Sequence, residues 1–149
     1  MLRPRQTGSN DCAIAVYREI TGEDANAAFA RFYPYMKGQA GFSREALSPC
    51  LRDAGWLMTP YEDTVRKLIE LDGTLSSAFR TFWAQFQGAA AVCYSKDDSK
   101  LGHWIVVRSG GVVLDPEPSA PENGEFIVDY FKQVPVKSII TSISLVARM

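Results

Sequence analysis

Three residues of this chain have types and placements that would support thiol chemistry: Cys12, His103 and Asp115. A cysteine attacks as its thiolate, and the exposed N–H groups and dipole at a helix N-terminus favour that anion. Cys12 follows Asp11, a good N-cap residue, and opens the run Cys-Ala-Ile-Ala-Val-Tyr-Arg-Glu-Ile-Thr that stops at Gly22. The bland alternative is that Cys12 is a small buried apolar residue, as most unpaired cysteines are. Histidine is the usual acceptor of a thiol proton near neutral pH, and His103 is the single histidine of the chain. It opens the apolar run Trp104-Ile-Val-Val-Arg, which would hold its ring rigidly at a rim; a solvated histidine at a strand start is the competing reading. Asp115 enters through hairpin geometry. Residues 104–108 and 112–115 flank Ser109-Gly110-Gly111, and a three-residue turn sets Arg108 opposite Val112 and Ile105 opposite Asp115. Side chains alternate faces along a strand, so His103, Ile105 and Asp115 then share one face, with His103 diagonal to Asp115. A two-residue turn would put them on opposite faces, and Asp115 would then be a strand terminator before Pro116.

The elements that must position these residues are readable from periodicity. Residues 12–21 form a predicted helix, apolar nearly all round over its first two turns, as expected of a helix driven into the core. A second helix is predicted after Gly22, with Ala25, Ala28, Phe29 and Phe32 as its apolar face and Tyr33-Pro34-Tyr35 ending it. Between Phe42 and Gly55 the pattern is helical with Ser43 as N-cap, but Pro49 predicts two short turns rather than one helix. Amphipathic helices are predicted over 63–71 and 76–87, the second carrying Phe79, Phe82, Trp83 and Phe86 at core spacing. From Gly88 the pattern changes to strands at 89–94, 104–108 and 112–114, followed by a short helix near 126–131 and a closing strand over 136–146. Residues 117–124, with two prolines, read as a loose loop, and Arg3 and Arg5 as residues that solvate the N-terminal segment. Helices first and antiparallel strands last indicate an α+β fold with two segregated halves.

Bulk properties narrow the function classes. The chain has 149 residues, 46% of them hydrophobic and 22% charged, which suits one domain over 1–149 that buries roughly two thirds of its unfolded surface. A net charge of −1 and a pI of about 5.8 argue against nucleic acid or an anionic membrane as partner. No apolar run approaches a membrane span and the first residues form no signal core, so a cytoplasmic location is expected. Cys12, Cys50 and Cys93 are too far apart in sequence to indicate a disulfide framework. Together with His103 they also lack the paired spacing of a zinc site, and no metal or cofactor is expected. Cys50 and Cys93 are assigned to packing.

Taken in order, Gln6, five intervening residues, Cys12 within Asp11-Cys12-Ala13, then Gly102-His103-Trp104 and Val113-Leu114-Asp115-Pro116 resemble the papain-like cysteine peptidase superfamily. The nearest branch is the bacteriocin-processing, C39-like one, with its short Gln-x5-Cys opening and His-strand-turn-strand-Asp hairpin. The resemblance implies a papain-like fold, with a central helix carrying Cys12 and a C-terminal sheet carrying His103 and Asp115. It implies that Gln6 and the Cys12 N–H bind the oxyanion of a tetrahedral intermediate, that His103 activates Cys12, and that Asp115 orients the imidazole. A peptide or protein substrate follows. Ala13 stands where these families usually have glycine. The expected activity is hydrolysis of a peptide or isopeptide bond through an acyl-enzyme. Acyl transfer or amidation by the same triad, and a catalytically silent module that binds a peptide or partner protein, are the alternatives.

Overall fold

A computed structural model describes residues 2–7, 11–35, 44–70, 77–95, 102–134 and 139–149. The helical part comprises α1 (Cys12–Thr21), α2 (Ala25–Phe32) with a 3₁₀ turn at Tyr33–Tyr35, α3 (Arg44–Asp53), α4 (Asp63–Glu70), α5 (Ser77–Ala84) and α6 (Ile127–Lys132). The strands are β1 (Trp56–Pro60), β2 (Ala89–Ser95), β3 (Gly102–Arg108), β4 (Val112–Leu114), β5 (Glu125–Phe126) and β6 (Ile139–Arg148). They form one antiparallel sheet in the order β1-β6-β2-β3-β4-β5. Among the described residues no helix is long and apolar enough to cross a membrane.

The sheet is covered on both faces, which explains why β2 and β3 read as continuous apolar runs rather than as alternating ones. Ala91, Cys93, Trp104 and Val106 face α1, α2 and α3, where Val16, Tyr17, Phe32, Leu47 and Leu51 fill the first core. Ala90, Val92, Ile105 and Val107 face the other way, onto Phe79 and Trp83 of α5 and Ile127 and Val128 of α6. Alternation along two central strands thus assigns neighbouring residues to two separate cores.

Two readings are corrected by this arrangement. Pro49 does not break its segment: α3 runs unbroken from Arg44 to Asp53 with the proline inside. An interior proline costs about 3 kcal/mol, whereas burying a Leu-sized side chain returns roughly 1.5–3 kcal/mol, and Leu47, Cys50 and Leu51 are all buried on this helix. The helix wins because packing outweighs one lost hydrogen bond. The second correction is β1, which sequence patterning missed; only Met58 is buried in it and Pro60 ends it, as suits an edge strand. The α+β expectation agrees with this arrangement, in which β6 lies between β1 and β2 and so joins the helical half to the sheet. The proposed N-cap Ser43 and the first residues of the predicted closing strand, 136–138, lie outside the described residues.

The β3–β4 turn adopts the three-residue register, with Arg108 opposite Val112 and Val106 opposite Leu114. Gly111 makes it possible: its φ is +76°, and a Cβ there would come within 2.9 Å of the Trp83 carbonyl oxygen.

Candidate active site

The N-terminal segment, residues 2–6, lies against the loop that follows β4 and fixes where both Gln6 and Asp115 stand. The Gln6 N–H donates to the Pro116 carbonyl at 2.9 Å. Arg3 donates to the carbonyls of Asp115, Pro121 and Glu122 at 2.6, 2.7 and 3.0 Å, and Arg5 donates to those of Glu117 and Ala120. Arg5 also pairs with Glu122 at 2.8 Å. These arginines are a clamp on residues 115–122, not solvating residues, and the supposed loose loop over 117–124 is held at four carbonyls, with a fifth at Asp115. Planar guanidinium forks suit this task because each can bind several oxygens at fixed angles.

Asp11 takes the N-cap position of α1 but makes no side-chain cap bond; its carboxylate accepts instead from the N–H and hydroxyl of Thr7. It therefore ties the Gln6 segment to the helix that begins at Cys12. Cys12 is 5% exposed. Its Sγ accepts from the Trp104 N–H at 3.5 Å and lies 3.9 Å from the Gly102 carbonyl, so the cysteine sits at the start of β3 on either side of His103. Ala13 is fully buried and packs into the first core, so its methyl faces protein rather than a cleft.

His103 is 7% exposed and its Nε2 lies 2.7 Å from Asp115 Oδ1. With Nε2 committed to the carboxylate, Nδ1 is the ring nitrogen left for Cys12. Tyr94 stands edge-on to the imidazole, with ring centroids 5.6 Å apart. Burial works against a charged ring, but the hydrogen bonds that His103 makes to Asp115 and Cys12, and the proximity of both groups, outweigh it and raise the His103 pKa to about 9. Burial pushes the Asp115 carboxyl up, and this is overcome by His103, the Tyr130 hydroxyl and the Glu117 N–H, which hold it below the ordinary carboxylate range. Both shifts favour the imidazolium–carboxylate form of the pair.

All four residues singled out from sequence are buried within this region: Gln6 and Cys12 on consecutive N-terminal segments, His103 at the start of β3, and Asp115 just past β4. Cys50 and Cys93 pack in the first core. Burial pushes both thiols up to about 11. Trp104 is buried against the first core rather than turned outward. Sequence reasoning missed Tyr130 and Tyr94, and it missed the roles of Arg3 and Arg5; only their residue types, not their spacing, could have suggested them.

Gly102 shows how tightly the start of β3 is built. A Cβ there would lie 2.4 Å from Cys93 Sγ. Gly102→Ala is therefore expected to destabilise the protein by about 1–3 kcal/mol in urea denaturation, and the double variant with Cys93→Ala to recover part of that loss. Full additivity of the two changes would refute this contact as the cause.

No family model matches the chain, and no curated protein matches it. Among solved structures it is similar to the peptidase domain of Streptococcus ComA, a bi-functional ABC transporter involved in a quorum sensing pathway, at 15% identity and a TM-score of 0.63. That similarity spans 99% of this chain and 98% of the other. Helices packed on an antiparallel sheet, with the cysteine at the head of the first helix and the histidine and aspartate across one hairpin, give this chain the papain-like fold of that peptidase domain.

Proposed function

We propose that the chain is a thiol hydrolase, a single domain over residues 1–149 that cleaves a peptide or isopeptide bond through Cys12, His103 and Asp115. The observation that carries this reading is the buried His103–Asp115 pair, 2.7 Å apart, at the strand start whose next N–H binds the Cys12 sulfur. Cys12, its thiol proton passed to His103, attacks the carbonyl carbon through Sγ, forming the C–S bond and an oxyanion. The Gln6 amide and the Cys12 N–H, which as a first-turn N–H has no partner within the helix, donate to that oxygen. His103, which holds a proton through neutral pH, gives it to the departing amine nitrogen as the C–N bond breaks. Water then attacks the thioester while His103 takes its proton, the C–S bond breaks, and Cys12 leaves as the thiolate beside protonated His103, ready for the next cycle.

The test is alkylation by iodoacetamide between pH 6 and 8, followed by mass spectrometry. Cys50 and Cys93, with thiols near 11, are expected to stay unlabelled, while Cys12 is labelled rapidly in the native chain and slowly in His103→Ala. Equal or absent labelling of Cys12 in both proteins would sink the hydrolase reading and favour a silent peptide-binding module. For an active chain, product analysis with an added primary amine separates hydrolysis, which leaves a free carboxylate, from transfer, which leaves an amide.

A further inference from the structure

The Asp115 carboxylate has two oxygens, and His103 uses only one of them. Oδ1 faces His103 Nε2 and also accepts from the Glu117 N–H at 2.9 Å. Oδ2 accepts from the Tyr130 hydroxyl at 2.6 Å. Behind it the hydroxyls of Tyr130 and Tyr94 lie 2.6 Å apart. Because a carboxylate only accepts, Tyr130 must spend its proton on Asp115, so the bond behind it is donated by Tyr94. A directed chain results, Tyr94 to Tyr130 to Asp115, and it returns on itself: the Tyr94 ring stands edge-on to His103.

The elements make this chain stiff. Tyr94 is 1% exposed and Tyr130 6% exposed. Tyr130 is carried by α6, and the neighbouring Phe131 packs edge-on against Tyr94 at 5.4 Å. Burial pushes both phenols well above their ordinary range, so neither loses the proton it donates. One side of the pair faces an open cavity of about 470 Å³ lined by Tyr94, Asp115, Tyr130 and Glu125 among others. A carboxylate beside such a cavity would turn about its Cβ–Cγ bond if only one oxygen were held, and water would compete for the other.

We propose that Tyr130, supported by Tyr94, is a positioning residue for the reaction: it locks the Asp115 carboxylate in the orientation that presents Oδ1 to His103. This rests on the hydrolase reading for its effect on Cys12, but its effect on the His103–Asp115 bond does not. Tyr130 touches neither Cys12 nor the imidazole's reacting nitrogen, and it acts through Asp115 alone.

That last point makes the test decisive. Two readouts are taken on Tyr130→Phe and Tyr94→Phe: the rate of Cys12 alkylation by iodoacetamide, and solvent exchange of the His103 Nε2 proton, the single histidine N–H resonance expected downfield. Tyr130→Phe is expected to slow alkylation by roughly tenfold and to speed proton exchange by a similar factor, with Tyr94→Phe smaller in both. In an Asp115→Ala background the same Tyr130→Phe change is expected to leave alkylation unchanged, because the group that its hydroxyl holds is gone. A tenfold effect of equal size in both backgrounds would show a merely structural role and overturn the proposal, as would unaltered proton exchange in Tyr130→Phe. If the native Cys12 is itself unreactive, the hydrolase reading fails while the exchange measurement still decides the role of Tyr130.

Discussion

His103→Ala is expected to lower turnover by at least about a thousandfold, because no other histidine exists to take its place and, in the proposed reaction, the same ring carries the proton through both halves. The measurement is cleavage of a peptide library that the native chain cuts, followed by mass spectrometry. The substitution also has a structural cost. Removing one partner of a buried ion pair leaves the other uncompensated, a loss of roughly 3–5 kcal/mol. Here Asp115 keeps the Tyr130 hydroxyl and the Glu117 N–H, which places the loss at the lower end of that range. Circular dichroism at the assay temperature fixes the folded fraction. Loss of turnover that merely follows loss of folded protein would mark His103 as a structural histidine.

Asp115→Asn is the second large effect, expected at about a thousandfold in turnover near neutral pH with the fold retained. The amide keeps the shape of the carboxylate but removes its charge, so the Asp115 contributions that raise His103 to about 9 are lost, while the burial that opposes them and the smaller raising effect of Cys12 remain. The midpoint of the single histidine, read by NMR titration, should fall from about 9 toward its ordinary value of 6.5. Stability follows with a defined sign. A histidine raised in the folded state stabilises fully below 6.5 and loses that contribution as pH rises through about 9. A carboxylate depressed in the folded state stabilises above its ordinary value of 3.8 and loses its contribution as pH falls through the lowered one. The urea midpoint of the native chain should therefore exceed that of Asp115→Asn most between about pH 4 and 6.5, with the gap narrowing toward pH 9. A gap that widens with rising pH would be incompatible with an imidazolium–carboxylate pair.

What sequence could and could not reveal follows from the range of the interactions involved. The Cys12 helix, its stop at Gly22 and the β3–β4 register are set by neighbours a few residues away, and each was legible as a cap, a left-handed glycine or a turn length. From that register the face shared by His103 and Asp115 followed directly. Pro49 misled because local propensity argued for a break while the burial that overrides it comes from other elements. The arginine clamp was illegible for the same reason: Arg3 and Arg5 find their partners 112 to 119 residues away, and nothing in their local context distinguishes a clamp from a solvated arm. Tyr130 likewise sits in an unremarkable short helix, and only the return of α6 toward β4 brings its hydroxyl to Asp115.

The position of β6 also sets the order in which the molecule can become whole. Its residues, 139–148, pair with β1 on one side and β2 on the other, so the sheet is two disconnected pieces until they are in place. Gln6 and Cys12 are translated first, yet the arm that carries them needs residues 115–122 for its anchorage, and the sheet beneath needs β6. Pairings this distant in sequence form late and slowly, because loop closure is costly before contacts repay it. A growing chain therefore displays its cysteine long before the strand and the loop that complete the surroundings of Cys12 have been made.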